Sequence, residues 1–219
     1  MDPVSLNQIE HTVRKAVRGC GFDWGIAEEA GRAVRWLEWM NLDGIGSLFG
    51  ALDAVKDVDM KGLLISAEGQ NWVSRASVMS PILAGPSLAD SVGIDFAPIC
   101  LHQLSRPLLA AGFIGAVLAP SDDPIFLQWP GVHLSVENTR LGVMGELENL
   151  TIECADKFFM SRQNDNVDGV FAYRQGVTSS RAVSSDLWHE LEAKAHLTYV
   201  EATDASRLAG AGAGLSDND

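Results

Sequence analysis

Near the start of the chain, Leu6, Ile9, Val13, Ala16, Val17 and Cys20 recur at the spacing of one helix face. Ser5 followed by Gln8 forms a capping box before them, so the pattern predicts a helix over about 6–18. Gly19 and Gly21 supply the left-handed turn that ends it. Asp23 caps a second helix whose apolar stripe is Ile26, Ala30, Ala33, Val34 and Leu37. After the turn LDGIG, a third helix is expected over about 45–56, with Leu48, Leu52 and Val55 inward.

The pattern then changes. GLLISAEG and NWVSRASVM read as short strands, and turns gather around Pro81, Gly85 and Pro86. The apolar run 107–119 reads as a helix that Ser105 caps, Pro107 opens and Pro120 stops. Gly112 and Gly115 weaken that helix and leave a strand open as the alternative. IFLQWPGVHLSVE alternates on both sides of Pro130-Gly131 and predicts a hairpin, with Phe126 and Gln128 on one parity and Leu127 and Trp129 on the other. RLGVMG, LTIECA, KFFMSR and GVFAYRQG extend an antiparallel sheet around the polar loop RQNDNVDG. Ser184 or Ser185 caps a last helix with Leu187, Leu191 and Ala195 inward, and LTYVEA is expected as a final strand.

The fold class that follows is α+β. A helical amino-terminal part of two to three helices (1–58) precedes a mainly antiparallel β-sheet with one or two packed helices (59–205), and a glycine-rich acidic tail (206–219) closes a single structural domain. At 219 residues, 47% hydrophobic and 21% charged, the chain can bury a large core. Its net charge of −13 opposes nucleic acid and anionic lipid as partners, both of which are held by clustered Lys and Arg. The helix pair carries Arg14, Lys15, Arg18, Arg32 and Arg35, but six acidic residues share the first forty positions, which excludes a basic DNA-reading face. No run reaches the length of a bilayer span, and the start MDPVSLNQIE lacks the apolar segment of a secretory signal. Cys20, Cys100 and Cys154 form no CxxC pair, and the expected location is the cytoplasm.

Candidate chemistry is sparse. GPSLA resembles a nucleophile elbow poorly: Ala89 replaces the second glycine, and Asp90 makes Ser87 a helix cap instead. Cys100, His102 and Ser105 are neighbours in sequence, whereas a nucleophile and its base usually converge from different elements. The five histidines show no HxH or HExxH spacing, so neither a metal nor a cofactor is expected. Glu28 and Arg32, and Arg32 and Trp36, are four apart and read as an ion pair with an aromatic lid. Trp36 and Trp39, one helix turn apart, serve either as core or as a contact surface.

The end of the chain, SRLAGAGAGLSDND, sets Gly210, Gly212 and Gly214 in a ladder between Ser206-Arg207 and the acceptors Asp217, Asn218 and Asp219. No Walker lysine and no following helix accompany it, so a phosphate cradle is excluded, and the acidic end suits a cation or a partner's arginine. Together with the opening VSLNQIEHTVRKAVRGCGFDWGIAEEAGRAVRWLE, this ending resembles an uncharacterised bacterial family, domain of unknown function 3726. The resemblance brings no catalytic role and no cofactor. It implies a tail that docks in the fold, threads into a neighbouring subunit or covers a site.

Two readings of function stand. In the first, an accessory or subunit protein of small-molecule metabolism works through contacts with a protein partner or a second copy of itself. The second is an enzyme on a small-molecule substrate, with its site where the helical part meets the sheet. The residues singled out for binding or docking are Ser206, Arg207, Gly210, Gly212, Gly214, Asp217, Asn218, Asp219, Trp24, Glu28, Glu29 and Arg32, with His102 added for the enzyme.

Overall fold

The computed structural model describes residues 3–94, 96–164, 169–176 and 179–198. Among the described residues six helices accompany a large mixed sheet in an α+β arrangement, and the helix Pro107–Val117 packs directly on the sheet. Helix α1 (Leu6–Gly19) opens on the predicted capping box: Ser5 Oγ accepts from the Gln8 backbone N–H, and the Gln8 side chain reaches back to the Ser5 N–H. Helix α2 (Trp24–Trp39) buries Ala27, Ala30, Ala33, Val34 and Leu37, and α3 (Gly44–Asp53) is capped by Asp43. Strand β1 (Pro3–Ser5) precedes α1 and forms a separate two-stranded ribbon with β10 (Ser180–Ala182).

The main sheet runs in the order β2-β3-β4-β8-β5-β6-β7-β9. Strands β2 (Ile65–Glu68) and β3 (Asn71–Ser74) form a hairpin. Helix α4 (Pro81–Val92) then crosses over to β4 (Ile99–Ser105), which lies parallel to β3. A helix inserted between two strands carries the chain back to the starting end, so this one junction is parallel while the others are antiparallel. Strands β5 (Ile125–Trp129) and β6 (Val132–Val136) are the predicted hairpin, turned by Pro130 and by Gly131 at φ +80°. The meander continues into β7 (Arg140–Gly145). Strand β8 (Cys154–Ser161) returns between β4 and β5, and β9 (Ala172–Gln175) closes the far edge.

Several expectations need correction. Ser87 does not cap a helix: α4 begins at Pro81 after Ser80, and Ser87 lies in its interior behind Pro86. Ser105 ends β4 and donates to the Met79 carbonyl, while the residue before α5 (Pro107–Val117) is Arg106 at φ +40°. LTIECA and KFFMSR are not two strands. Leu147–Thr151 is a 3-10 turn, and Cys154 opens the single strand that runs on through Phe158 and Met160. Ser184 caps α6 (Ser185–His196), with Leu191 and Ala195 buried. Leu197 and Thr198 of LTYVEA follow that helix, and the rest of that segment lies outside the described residues.

Packing decides the ambiguous run. Nearly all of α5 is buried between the sheet and α2, and its glycines set that approach. A Cβ at Gly112 would stand 2.7 Å from the Ala33 carbonyl oxygen, and one at Gly115 would stand 2.3 Å from the Trp36 ring. The residues that lower helix propensity therefore let α2 and α5 touch backbone to ring, and burial outweighs the propensity cost of about 1 kcal/mol per glycine. One sheet face, carrying Leu101, Phe158, Met160, Leu127, Trp129 and Leu134, joins the same buried cluster as the helices. Trp129 stacks on Phe158 with centroids 5.9 Å apart. The opposite face carries Cys100, His102, Lys157, Phe159, Gln128, Phe126, His133 and Tyr173, and it is partly exposed.

Candidate functional site

Where α2 meets the ribbon and the sheet, a cleft of about 580 Å³ opens, within the range of small-molecule sites. One stripe of α2 forms its wall: Arg32, Arg35, Trp36 and Trp39 stand at i, i+3, i+4 and i+7 and so share a helix face. Ser5 and Asn7 come from the β1–α1 junction, and Ser179 precedes β10. Gly115 and Ala116 of α5 supply the floor, and Asn138 of the β6–β7 turn closes the far side.

The wall is fixed by its own bonds. Trp36 is 5% exposed, packs against Gly115, and donates its indole N–H to the Asn138 carbonyl at 2.9 Å. Asn138 in turn donates its side-chain amide to the Leu118 carbonyl, so the turn is tied to the end of α5. Trp39 is half-buried against Gly176. The ribbon is tied down by Glu38, whose Oε2 accepts from Arg181 Nε at 2.8 Å. Its Oε1 accepts from the backbone N–H groups of Gly44 and Ile45 at the start of α3. Burial pushes the Glu38 carboxyl above its ordinary range, and the bonds from Ile45 and Arg181 offset that only in part.

The arginines give the cleft positive charge in a chain of net charge −13. Arg35 Nε is 3.4 Å from Glu10 Oε2 of α1, and both side chains are partly exposed. Arg32 is exposed on the same face. Its charge partly offsets the upward push on the Glu29 carboxyl, which comes mainly from burial and also from Asp90. Guanidinium groups beside indole rings, with amide and hydroxyl groups opposite, can hold a carboxylate or phosphate at one end and a flat apolar body at the other.

The residues singled out in the sequence are dispersed. Of those among the described residues, only Arg32 lines the cleft. Glu28 does not pair with Arg32; it faces Arg14 across the α1–α2 contact at 3.6 Å. Trp24 is 48% exposed at the other end of α2, with the Arg14 and Arg18 guanidinium groups at 6.0 and 5.7 Å from its ring. Ser206, Arg207, Gly210, Gly212, Gly214, Asp217, Asn218 and Asp219 lie outside the described residues. Asn7, Asn138 and Ser179 carry no signal in the local sequence, and the tertiary fold brings them together. Arg35, Trp36 and Trp39 were legible as a stripe with Arg32.

His102 lies on the outer sheet face rather than in the cleft. Its Nε2 faces both Cys100 Sγ at 3.7 Å and Asn71 Oδ1 at 3.2 Å. In a thiol–imidazole pair the second ring nitrogen takes the orienting partner, whereas here one nitrogen meets both neighbours. Burial also pushes the Cys100 thiol up, against the pull of Lys157, so the arrangement does not favour a thiolate. Nearby, a small groove of about 140 Å³ runs between Phe126, Phe159, Phe171 and His133. Among the described residues no cluster of three or more His, Cys, Asp or Glu side chains has the placement of a metal site, and no helix is long and apolar enough to cross a membrane.

Residues 4–80 match the family described as Protein of unknown function (DUF3726). The match spans α1 to β3 and ends at Ser80, so the Arg32–Trp39 stripe and Asn7 fall inside it, while Asn138 and Ser179 fall outside. No curated protein and no solved structure matches the chain.

Proposed function

We propose that this protein is an accessory protein of small-molecule metabolism that binds a small organic anion in the cleft between the helical part and the sheet. The observation that carries the reading is the α2 stripe: two arginines and two tryptophans share one wall of a cavity of about 580 Å³. The lining groups bind and orient. Arginines fix an anion, indole rings cover apolar surface, and Asn7, Asn138 and the serines add directional hydrogen bonds. A turnover function is the second reading, and it draws on Glu29, one turn before Arg32 on α2 and outside the cleft lining, whose burial keeps its carboxyl easier to protonate than usual. Work through protein contacts draws on the partly exposed outer sheet face, where Phe159 and Tyr173 are 37% and 50% exposed.

Native mass spectrometry of protein purified without exchange into ligand-free buffer tests the proposal. The wild type is expected to carry a small adduct, released on denaturation and detected as an anion. The double variant Arg32→Gln/Arg35→Gln is expected to lose it while keeping its circular-dichroism spectrum. An adduct that survives both substitutions, or a protein companion in place of any adduct, refutes the reading.

A further inference from the structure

Arg35 already holds a carboxylate. Glu10 of α1 lies 3.4 Å from its Nε, longer than the roughly 2.7–2.9 Å of a well-formed charge-assisted hydrogen bond. Both side chains are partly exposed, so water and other anions compete for the contact. The placement of Glu10 is set by its backbone: a Cβ at Gly31 of α2 would stand 2.9 Å from the Glu10 carbonyl oxygen and 3.4 Å from its Cγ. This close helix approach brings a carboxylate to the rim of the cleft, beside Asn7, which lines both the cleft and the shallow depression that contains Glu10.

From these contacts, and resting on the binding reading above, we infer that the ligand is a planar organic carboxylate and that Glu10 holds its place on Arg35 until it arrives. The exchange keeps the Arg35 guanidinium paired, because one carboxylate takes it as another releases it, and Glu10 remains on α1 as a solvated carboxylate. It improves geometry, because a carboxylate inside the cleft can accept two parallel N–H bonds from the guanidinium fork, whereas Glu10 meets it at long range through Nε. Arg32, one turn earlier on the same stripe, keeps the cleft positive during the exchange. Trp36 and Trp39 on the same wall call for a flat apolar body attached to the carboxylate.

The test follows the Trp36 and Trp39 indole N–H signals by NMR during titration with 2-naphthoate and its neutral counterpart 2-naphthamide. In the wild type, 2-naphthoate is expected to move both signals, and the amide to bind at least tenfold more weakly. Glu10→Gln removes the internal competitor and is expected to tighten 2-naphthoate binding at least threefold without changing the amide. Arg35→Lys keeps the charge but loses the fork, and is expected to weaken 2-naphthoate at least threefold. Unchanged or weaker 2-naphthoate binding in Glu10→Gln overturns the exchange and leaves the cleft a binding site. Unchanged binding in Arg35→Lys overturns the guanidinium assignment. No movement of either signal with 2-naphthoate in wild type or Glu10→Gln overturns both the exchange and the binding reading.

Discussion

Replacing Glu38 by alanine should be among the most damaging single changes in this fold, whereas replacing it by glutamine should cost clearly less. Glu38 is 4% exposed in the last turn of α2, where a negative charge opposes the helix dipole. It is retained there by what it accepts. Its Oε1 takes the Gly44 and Ile45 N–H groups at 2.9 and 3.0 Å, and Oε2 takes Arg181 Nε at 2.8 Å. Gly44 has a second acceptor in the Leu42 carbonyl at 3.0 Å, so the alanine variant leaves the buried Ile45 N–H as the principal orphan. An unsatisfied buried donor costs about 1–3 kcal/mol, and losing a bond to a charged group about 1.5–3 more, which places Glu38→Ala at about 3–5 kcal/mol. For a chain of this size that is a fall in Tm of roughly 6–20 °C.

Glutamine keeps an amide oxygen for the two N–H groups but sets an NH2 donor where Oε2 accepts from Arg181 Nε, so it gives up the charge and that one bond. Because burial holds the Glu38 carboxyl above its ordinary value of 4.5, the ionised form is the one the fold tolerates less well. Between 4.5 and the raised folded value, the folded chain keeps a proton that the unfolded chain releases. Stability contributed by this group is therefore greatest at low pH and declines as pH rises through that window. Glu38→Gln should accordingly cost about 1.5–3 kcal/mol at pH 7 through the lost Arg181 bond, and its standing relative to wild type should improve as pH rises from 4.5. Urea denaturation followed by circular dichroism, at a series of pH values, measures both. A glutamine variant as unstable as the alanine variant refutes the argument, since the Arg181 bond rather than the two backbone N–H groups would then be the main contribution. A relative stability that moves the other way with pH refutes it as well.

Gly115→Val should cost about 1–3 kcal/mol by overpacking, because its Cβ already stands 2.3 Å from the Trp36 ring. It should also displace Trp36 from Asn138, seen as a moved indole N–H signal; a native-like spectrum and melting curve would contradict the packing. Trp129→Ala removes a ring that is 2% exposed and stacked on Phe158, and should lower stability by about 3–5 kcal/mol in urea titration, whereas a loss below 1 kcal/mol would show that the sheet core repacks freely. Burial pushes the thiols of Cys20, Cys100 and Cys154 above 9.0, so at pH 7 native protein should react with iodoacetamide more slowly than free cysteine. The rate should still be rising at pH 9, and fast labelling of any of the three at pH 7 would contradict this.

The legible parts of this fold are those in which a short stretch of sequence satisfies itself. The Ser5–Gln8 capping box closes within four residues, and the β5–β6 hairpin is set by one Pro-Gly turn and the parity of its neighbours, so local spacing sufficed for both. The parts that were not legible are those where a distant partner changes the meaning of a residue. Gly112 and Gly115 argue against a helix locally, yet they allow α2 to touch α5, which the sequence around them does not reveal. Glu28 and Arg32 have the spacing of an ion pair, but α1 presents Arg14 to Glu28 and leaves Arg32 facing the cleft.

The same distinction applies to the candidate site. Its wall is one helical stripe, visible as Arg32, Arg35, Trp36 and Trp39 at i, i+3, i+4 and i+7, and a stripe of charge and aromatic surface on a helix whose other face is apolar asks for an occupant beyond the core. The opposite wall comes from Ser5 and Asn7, Asn138 and Ser179, more than 170 residues apart along the chain from first to last, and no spacing rule links them. What brings them to α2 is a set of long-range bonds: Trp36 to Asn138 across 102 positions, and Glu38 to Arg181 across 143. Both bonds start from the last turn and a half of α2, so the helix that supplies the cationic and aromatic wall also fixes where the polar wall stands. A substitution that loosens either bond should therefore change the shape of the cleft even where it leaves Arg32 and Arg35 untouched.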